Sequence, residues 1–181
     1  AVRFAFKRAV VVSSLAPSNG PARGRSLVTV LGAHFTPSAL LKCRFGATQV
    51  EATFISSEAA NCTSPAHAAG AMLVEVTNNG VDFSSSGVSF LYHSDLAVLA
   101  AVPSSGPLSG ETNVSVVGVG LLPGSMCRFG DLAALHVRWL SPFELVCTSP
   151  PQTAGVQALE VTSNGRDWTA DAVRFEYQLP A

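Results

Sequence analysis

The chain has 181 residues, a formal net charge of −1 and charged side chains at 13% of its positions. That balance leaves no basic surplus to neutralise phosphates, which argues against nucleic acid as a partner. No apolar run approaches the length of a membrane span, so no direct membrane insertion is expected of this segment. A mean hydropathy above zero with so few charges points to outward surface covered by neighbouring domains, glycans or partner chains.

In chain order, no leader peptide is legible at residue 1, because Arg3, Lys7 and Arg8 precede only the short apolar run from Ala9 to Val12. Residues 1–9 instead match the ends of two later segments. Val2, Val88 and Val173 recur at spacings of 86 and 85 residues, each with Phe two places on and an aromatic four places on. Residues 1–9 therefore read as the last strand of a preceding repeat, and the chain as a window from a longer array. Residues 10–93 and 94–181 are then two full repeats.

The first repeat opens with Val10-Val11-Val12, an edge-strand candidate. It is broken by Pro17-Ser18-Asn19-Gly20-Pro21 and Gly24. The second carries Pro103-Ser104-Ser105-Gly106-Pro107 and Gly110 at the same place. Val28 and Val30 match Val114 and Val116, and alternation points all four inward. A turn containing Pro37 or Pro123 leads to a strand over Leu40–Phe45, carrying Cys43, and to its counterpart with Cys127. A less regular segment with Phe54 or Trp139 follows, then the strands of Cys62 and Cys147. Glu75 and Glu160 sit in cleanly alternating strands, and Asn79-Gly80 and Asn164-Gly165 predict two-residue hairpin turns. The last strands end at Tyr92 and Tyr177. No segment keeps a helical period, so each repeat of about 85 residues is expected to be an all-β sandwich of about seven strands. A short connection after Tyr92 predicts two sandwiches placed end to end.

These residues resemble a family, the IPT/TIG domains, which are immunoglobulin-like sandwiches of plexins, Met-type receptor ectodomains and long tandem arrays. The resemblance rests on Pro17, Gly20, Pro21, Gly24, Gly32, Cys43, Phe45, Gly46, Cys62, Ser64, Pro65, Asn79, Gly80, Phe83, Phe90 and Tyr92, and on the matching series of the second repeat. It covers essentially the whole chain. One departure is Gly32-Ala33-His34-Phe35 and Gly118-Val119-Gly120-Leu121 in place of the usual Gly-Phe. The resemblance implies two tandem immunoglobulin-like β-sandwiches and no chemistry, so it favours a non-enzymatic role.

The four cysteines fall one pair per repeat, separated by 19 and 20 residues. The pairs Cys43–Cys62 and Cys127–Cys147 read as intra-domain disulfides, and the resemblance implies the same pairing. Each such loop is worth roughly 3 kcal/mol, and disulfides place a chain outside the reducing cytosol. The rivals are a metal site, which lacks Cys-x-x-Cys and histidines at ligand spacing, and buried free thiols.

Two sequons occur, Asn61-Cys62-Thr63 and Asn113-Val114-Ser115, and alternation points both asparagines outward. The positions equivalent to Asn61 and Asn113 in the other copy are Val146 and Leu27. Drift of a tolerant surface accounts for that exchange; the sharper reading makes Leu27, Leu31 and Val146 contacts between modules or chains.

No catalytic constellation is legible. Gly118-Val119-Gly120-Leu121-Leu122-Pro123 begins like a dinucleotide loop, but it ends in Pro, has no following helix and reads as a strand-end turn. His34, His67, His93 and His136 do not recur between copies. Asp82 and Asp167 do recur and are expected to cap the hairpins rather than to bind calcium. Phe83, Trp168, Tyr92 and Tyr177 read as core or inter-domain packing. The expectation is a non-enzymatic extracellular structural or assembly module without cofactors, from a rod-like array or surface filament. Its expected partners are other repeats, identical chains or further proteins. The alternative is the stalk of a cell-surface receptor or adhesion ectodomain.

Overall fold

The computed structural model describes residues 8–179. The expected strand of a preceding repeat falls largely on residues outside that range. The chain divides between His93 and Ser94 into two units. Among the described residues there is no helix, and both units are immunoglobulin-like sandwiches.

The first unit runs β1 (Val11–Ala16), β2 (Asn19–Pro21), β3 (Leu27–Ala33), β4 (Lys42–Phe45), β5 (Thr48–Ser56), β6 (Ala59–Thr63), β7 (Gly70–Thr77) and β8 (Ser89–His93). Its strand order is β1-β3-β6-β5-β4-β7-β8-β2. This is one ribbon folded into two layers. The start of β5 pairs with β4 in one layer, and its end pairs with β6 in the other. The nine-residue β5 is the segment expected to be irregular. A register shift between Phe54 and Ser56, together with the change of layer, breaks its alternation.

The second unit runs β9 (Ala97–Val102), β10 (Ser105–Pro107), β11 (Asn113–Val119), β12 (Met126–Phe129), β13 (Leu132–Ala133), β14 (His136–Ser141), β15 (Glu144–Thr148), β16 (Gly155–Thr162) and β17 (Arg174–Gln178). Here the layer-crossing strand is split into β13 and β14, so two separate sheets result, β10-β17-β16-β12-β13 and β14-β15-β11-β9. Short parallel pairs, β2 with β8 and β10 with β17, bring the chain start into the second layer of each sandwich. The peptide bonds Ala16–Pro17 and Val102–Pro103, just before those pairs, are cis.

The edge strands show how sequence sets register. Val12 and Leu15 are three apart, yet both are buried, because a register shift between Val12 and Ser14 restores the inward face. The shift brings the Val11 carbonyl against Gly32, and the Ala97 carbonyl against Gly118, where any Cβ would collide. The edges are also covered: the Val12 N–H donates to Ser86 Oγ and the Val98 N–H to Asp171 Oδ2.

Each unit has its own core. Val28, Val30, Phe45, Val74, Val76 and Phe90 are fully buried in the first, and Val114, Val116, Phe129, Leu145, Val161 and Phe175 in the second. Phe45–Phe90–Tyr92 and Phe129–Phe175–Tyr177 meet edge to face. Burying each such ring contributes about 1.5–3 kcal/mol. Cys43 on β4 is bonded to Cys62 on β6, and Cys127 on β12 to Cys147 on β15, so each disulfide ties one layer to the other.

The two-residue hairpins at Asn79-Gly80 and Asn164-Gly165 do not form. β7 and β8 pair only over Gly70–Leu73, so residues 78–88 make a wide loop, and residues 163–173 do the same between β16 and β17. The asparagine and glycine shape a local turn at the start of each loop instead. The strand carrying Cys43 is also shorter than expected, because Leu40 and Leu41 lie in a turn closed by the Leu41 N–H on the Ser38 carbonyl.

Candidate functional site

Three repeated constellations stand out, and two of them are structural. In the first, the Cys-x-Ser-Pro stretch meets the glycine of the opening loop. Ser64 Oγ accepts from the Ser26 N–H, and the Ser64 backbone exchanges hydrogen bonds with Arg25 and Ser26. Ser149 does the same with Thr112 and Glu111. Gly24 and Gly110 have φ of 73° and 74° and lie against the backbone of Pro65 and Pro150, so only glycine fits there. Tyr92 and Tyr177 are buried beside Ser64 and Ser149. Burial pushes the Tyr92 phenol up to about 12, with the Ser64 side chain pulling the other way. It pushes Tyr177 up too, against the pull of Ser149 and Gln152. Among the described residues neither phenolic oxygen has a hydrogen bond of ordinary geometry.

The second constellation occupies the start of each wide loop. Asn79 Oδ1 accepts from the N–H groups of Val81 and Asp82 and from the Thr77 hydroxyl, while Nδ2 donates to Asp82 Oδ2 at 2.7 Å. Asn164 repeats each bond with Arg166, Asp167 and Thr162. The asparagine is thus the cap and the aspartate its support, the reverse of the expected role of Asp82 and Asp167. An asparagine offers an acceptor and a donor at once, which an aspartate does not.

Beside this turn, Arg44 pairs with Glu75 across β4 and β7, and Arg128 with Glu160 across β12 and β16. Their guanidinium carbons lie 4.1 Å from the Phe83 ring centroid and 4.3 Å from that of Trp168. Phe83 and Trp168 therefore roof an arginine and are half-buried, rather than belonging to the core. Sequence reasoning passed over both arginines. The signal was their recurrence in Cys-Arg-Phe-Gly, in step with Glu75 and Glu160.

The third constellation is the outward face of the layer holding β3 and β6, or β11 and β15. Leu27 and Leu31 are 48% and 40% exposed, flanking half-buried Thr29. Asn61 lies opposite Thr29, and Asn113, which is exposed, lies opposite Thr148. Val146 is half-buried opposite Ser115. The face brings Leu27, Leu31 and Asn61 together in the first unit, and Asn113 and Val146 in the second.

The histidines are scattered. His67 packs its ring 5.4 Å from Tyr92, His93 is buried at the end of β8, His34 lies beyond β3 and His136 begins β14. Among the described residues no group of three His, Cys, Asp or Glu side chains is placed to hold a metal. A hollow of about 350 Å³ beside the first loop is lined by Arg8, Val10, Asn78, Asp82 and Phe83 among others.

Tandem disulfide-tied sandwiches, each with a serine-proline junction and an asparagine-capped loop, define a class of immunoglobulin-like repeat. The chain belongs to the IPT/TIG domain family, which matches residues 10–92 and 97–177. Among solved structures it is similar to the full extracellular region of plexin A4, domains 1 to 10, at 18% identity and a TM-score of 0.58. That match covers 94% of this chain and 16% of that one. A structure of the same region with domains 1 to 8 gives 18% identity and a TM-score of 0.52, covering 93% and 18%. The likeness is one of fold, and the chain spans under a fifth of the plexin length. No curated protein matches it in sequence.

Proposed function

We propose that this chain is a non-enzymatic structural module of an extracellular protein, two links of a multi-domain array or surface filament. One observation carries the reading. Both sandwiches join their two layers by a buried disulfide at the same place, which suits a repeated spacer in an oxidising compartment. Conservation of the fixtures between copies, against scatter of the histidines, supports a mechanical rather than a chemical role. The second reading is the stalk of a receptor or adhesion ectodomain, favoured by the fold likeness to an extracellular region.

Electron microscopy of the native full-length protein, with its mass measured under non-reducing conditions, tests both. Ordered fibres with a regular axial repeat are the expected result. Isolated molecules ending in a membrane anchor would transfer the chain to the second reading. Alkylation of Cys43, Cys62, Cys127 and Cys147 in the native protein without prior reduction would overturn the extracellular placement altogether.

A further inference from the structure

The two sequons occupy exchanged positions on one face, each beside exposed or half-buried apolar side chains. Asn61 is on β6 and Asn113 on β11, and neighbouring Cys62 and Val114 are buried, so both asparagines face outward. In each case a threonine of the adjacent strand holds the side chain. The Thr29 hydroxyl donates to Asn61 Oδ1 at 2.9 Å, and the Thr148 hydroxyl donates to Asn113 Oδ1 at 2.8 Å. The carbonyl end is thereby fixed, and Nδ2, the atom that takes a sugar, has no hydrogen bond among the described residues.

Register places the apolar side chains. Leu27 pairs with Thr63 and Leu31 with Ala59, so both sit diagonal to Asn61 on its own face. In the second unit Val146 and Val102 pair with Ser115 from either side, two places from Asn113, and Val102 is 61% exposed. Diagonal neighbours lie about 7–8 Å apart, within the footprint of the first sugars of a chain rooted at the asparagine. Each unit therefore sets one sugar acceptor beside apolar surface that a bare soluble module would leave in water.

We propose that Asn61 and Asn113 are N-glycosylated and that each glycan lies over the apolar side chains beside it, Leu27 and Leu31 in the first sandwich and Val102 and Val146 in the second. This rests on the extracellular reading, and it makes these side chains the footprint of a sugar rather than of a second chain. The donor class is a lipid-diphosphate-linked oligosaccharide. The amide nitrogen attacks the anomeric carbon, the C–N bond forms as the C–O bond to the diphosphate breaks, and the lipid diphosphate leaves with the electron pair. The amide proton passes to a base of the transferase. β6 is paired on both sides, and Cys62 between Asn61 and Thr63 is locked to Cys43. Transfer to Asn61 therefore precedes closure of the first sandwich.

Peptide mapping of the native full-length protein, with and without peptide N-glycosidase, reads occupancy. Both asparagines are expected to carry sugar. In the secreted full chain, Thr63→Ala abolishes the first sequon while Asn61 keeps its bond to Thr29. This variant is expected to bind an apolar dye several-fold more than the parent. Adding Leu27→Ser and Leu31→Ser should return dye binding to the parent level, and Asn113→Asp, which keeps an acceptor for Thr148, should give the corresponding rise for the second unit. Bare asparagines in a native protein whose cysteines are all oxidised would overturn the proposal while sparing the extracellular reading. Occupied asparagines with unchanged dye binding in T63A would overturn the covering role. Bare asparagines with self-association abolished by L27S/L31S would give the face to a second chain.

Discussion

The Arg44 guanidinium carbon lies 4.1 Å from the centre of the Phe83 ring while the same group pairs with Glu75. Arg128, Trp168 and Glu160 repeat the arrangement at 4.3 Å. Each arginine pins a wide loop to the strands beneath it. The glutamates are 18% and 19% exposed, so truncating an arginine leaves a largely shielded carboxylate without its partner. Arg44→Ala and Arg128→Ala are expected to cost about 1–2 kcal/mol each, the sum of a lost ion pair and a cation–π contact. Trp is the better ring for such a contact. Double-mutant cycles in chemical denaturation should thus give a larger coupling for Arg128–Trp168 than for Arg44–Phe83. Additive cycles would show that the stacked geometry contributes nothing.

The disulfides can be tested one unit at a time, because the chain has two tryptophans, Trp139 and Trp168, and both lie in the second unit. Tryptophan fluorescence then follows the unfolding of that unit. Cys127→Ala with Cys147→Ala should destabilise the fluorescence transition by roughly 3 kcal/mol, the chain-entropy value for a loop of this size. Cys43→Ala with Cys62→Ala should leave that transition in place and move an earlier one seen by circular dichroism. Equal shifts from both pairs would show that the units unfold as one.

The asparagine of each wide loop is predicted to matter more than the aspartate. Asn79→Ala removes an acceptor used by Val81 N–H, Asp82 N–H and the Thr77 hydroxyl, and Asn164→Ala removes its counterpart. A loss of about 1–3 kcal/mol in thermal or denaturant unfolding is expected for each. Asp82→Ala removes only the bond from Asn79 Nδ2 and should cost less. The reverse order would restore the aspartate as the cap.

What was legible in the sequence follows from what repeats. Inward valines at period two, the cysteine pairs and the punctuating glycines each appear twice, so the fold class and the two-repeat organisation could be read. Misreadings arose where backbone geometry depends on partners distant in sequence. Asn79-Gly80 looked like a hairpin turn because a dipeptide carries no information about where β7 stops pairing. Phe83 and Trp168 looked like core or inter-domain packing because sequence does not distinguish an aromatic ring over an arginine from one over a valine. The outward face was legible as a pattern of sequons and leucines, but only strand register set Asn61 diagonal to Leu27 and Leu31.

The tyrosines give a pH dependence with a definite sign. Burial holds the Tyr92 phenol up to about 12 and raises that of Tyr177, whereas an unfolded chain ionises its tyrosines near the ordinary value of about 10. A raised folded value means that the native state keeps its proton longer. Below about pH 10 both states are protonated and the contribution is whole. Above it the unfolded chain releases protons that the folded chain retains, and stability falls as pH climbs towards about 12. Tyr92 and Tyr177 are the only tyrosines, so phenolate absorbance belongs to them alone. In native protein that absorbance should rise late and together with unfolding, and in denatured protein near the ordinary value. Tyr92→Phe should flatten the alkaline loss for the first unit and change neutral stability little, because the hydroxyl makes no ordinary hydrogen bond. Ionisation near the ordinary value in folded protein would mean that solvent reaches the junction beside Ser64 and Ser149.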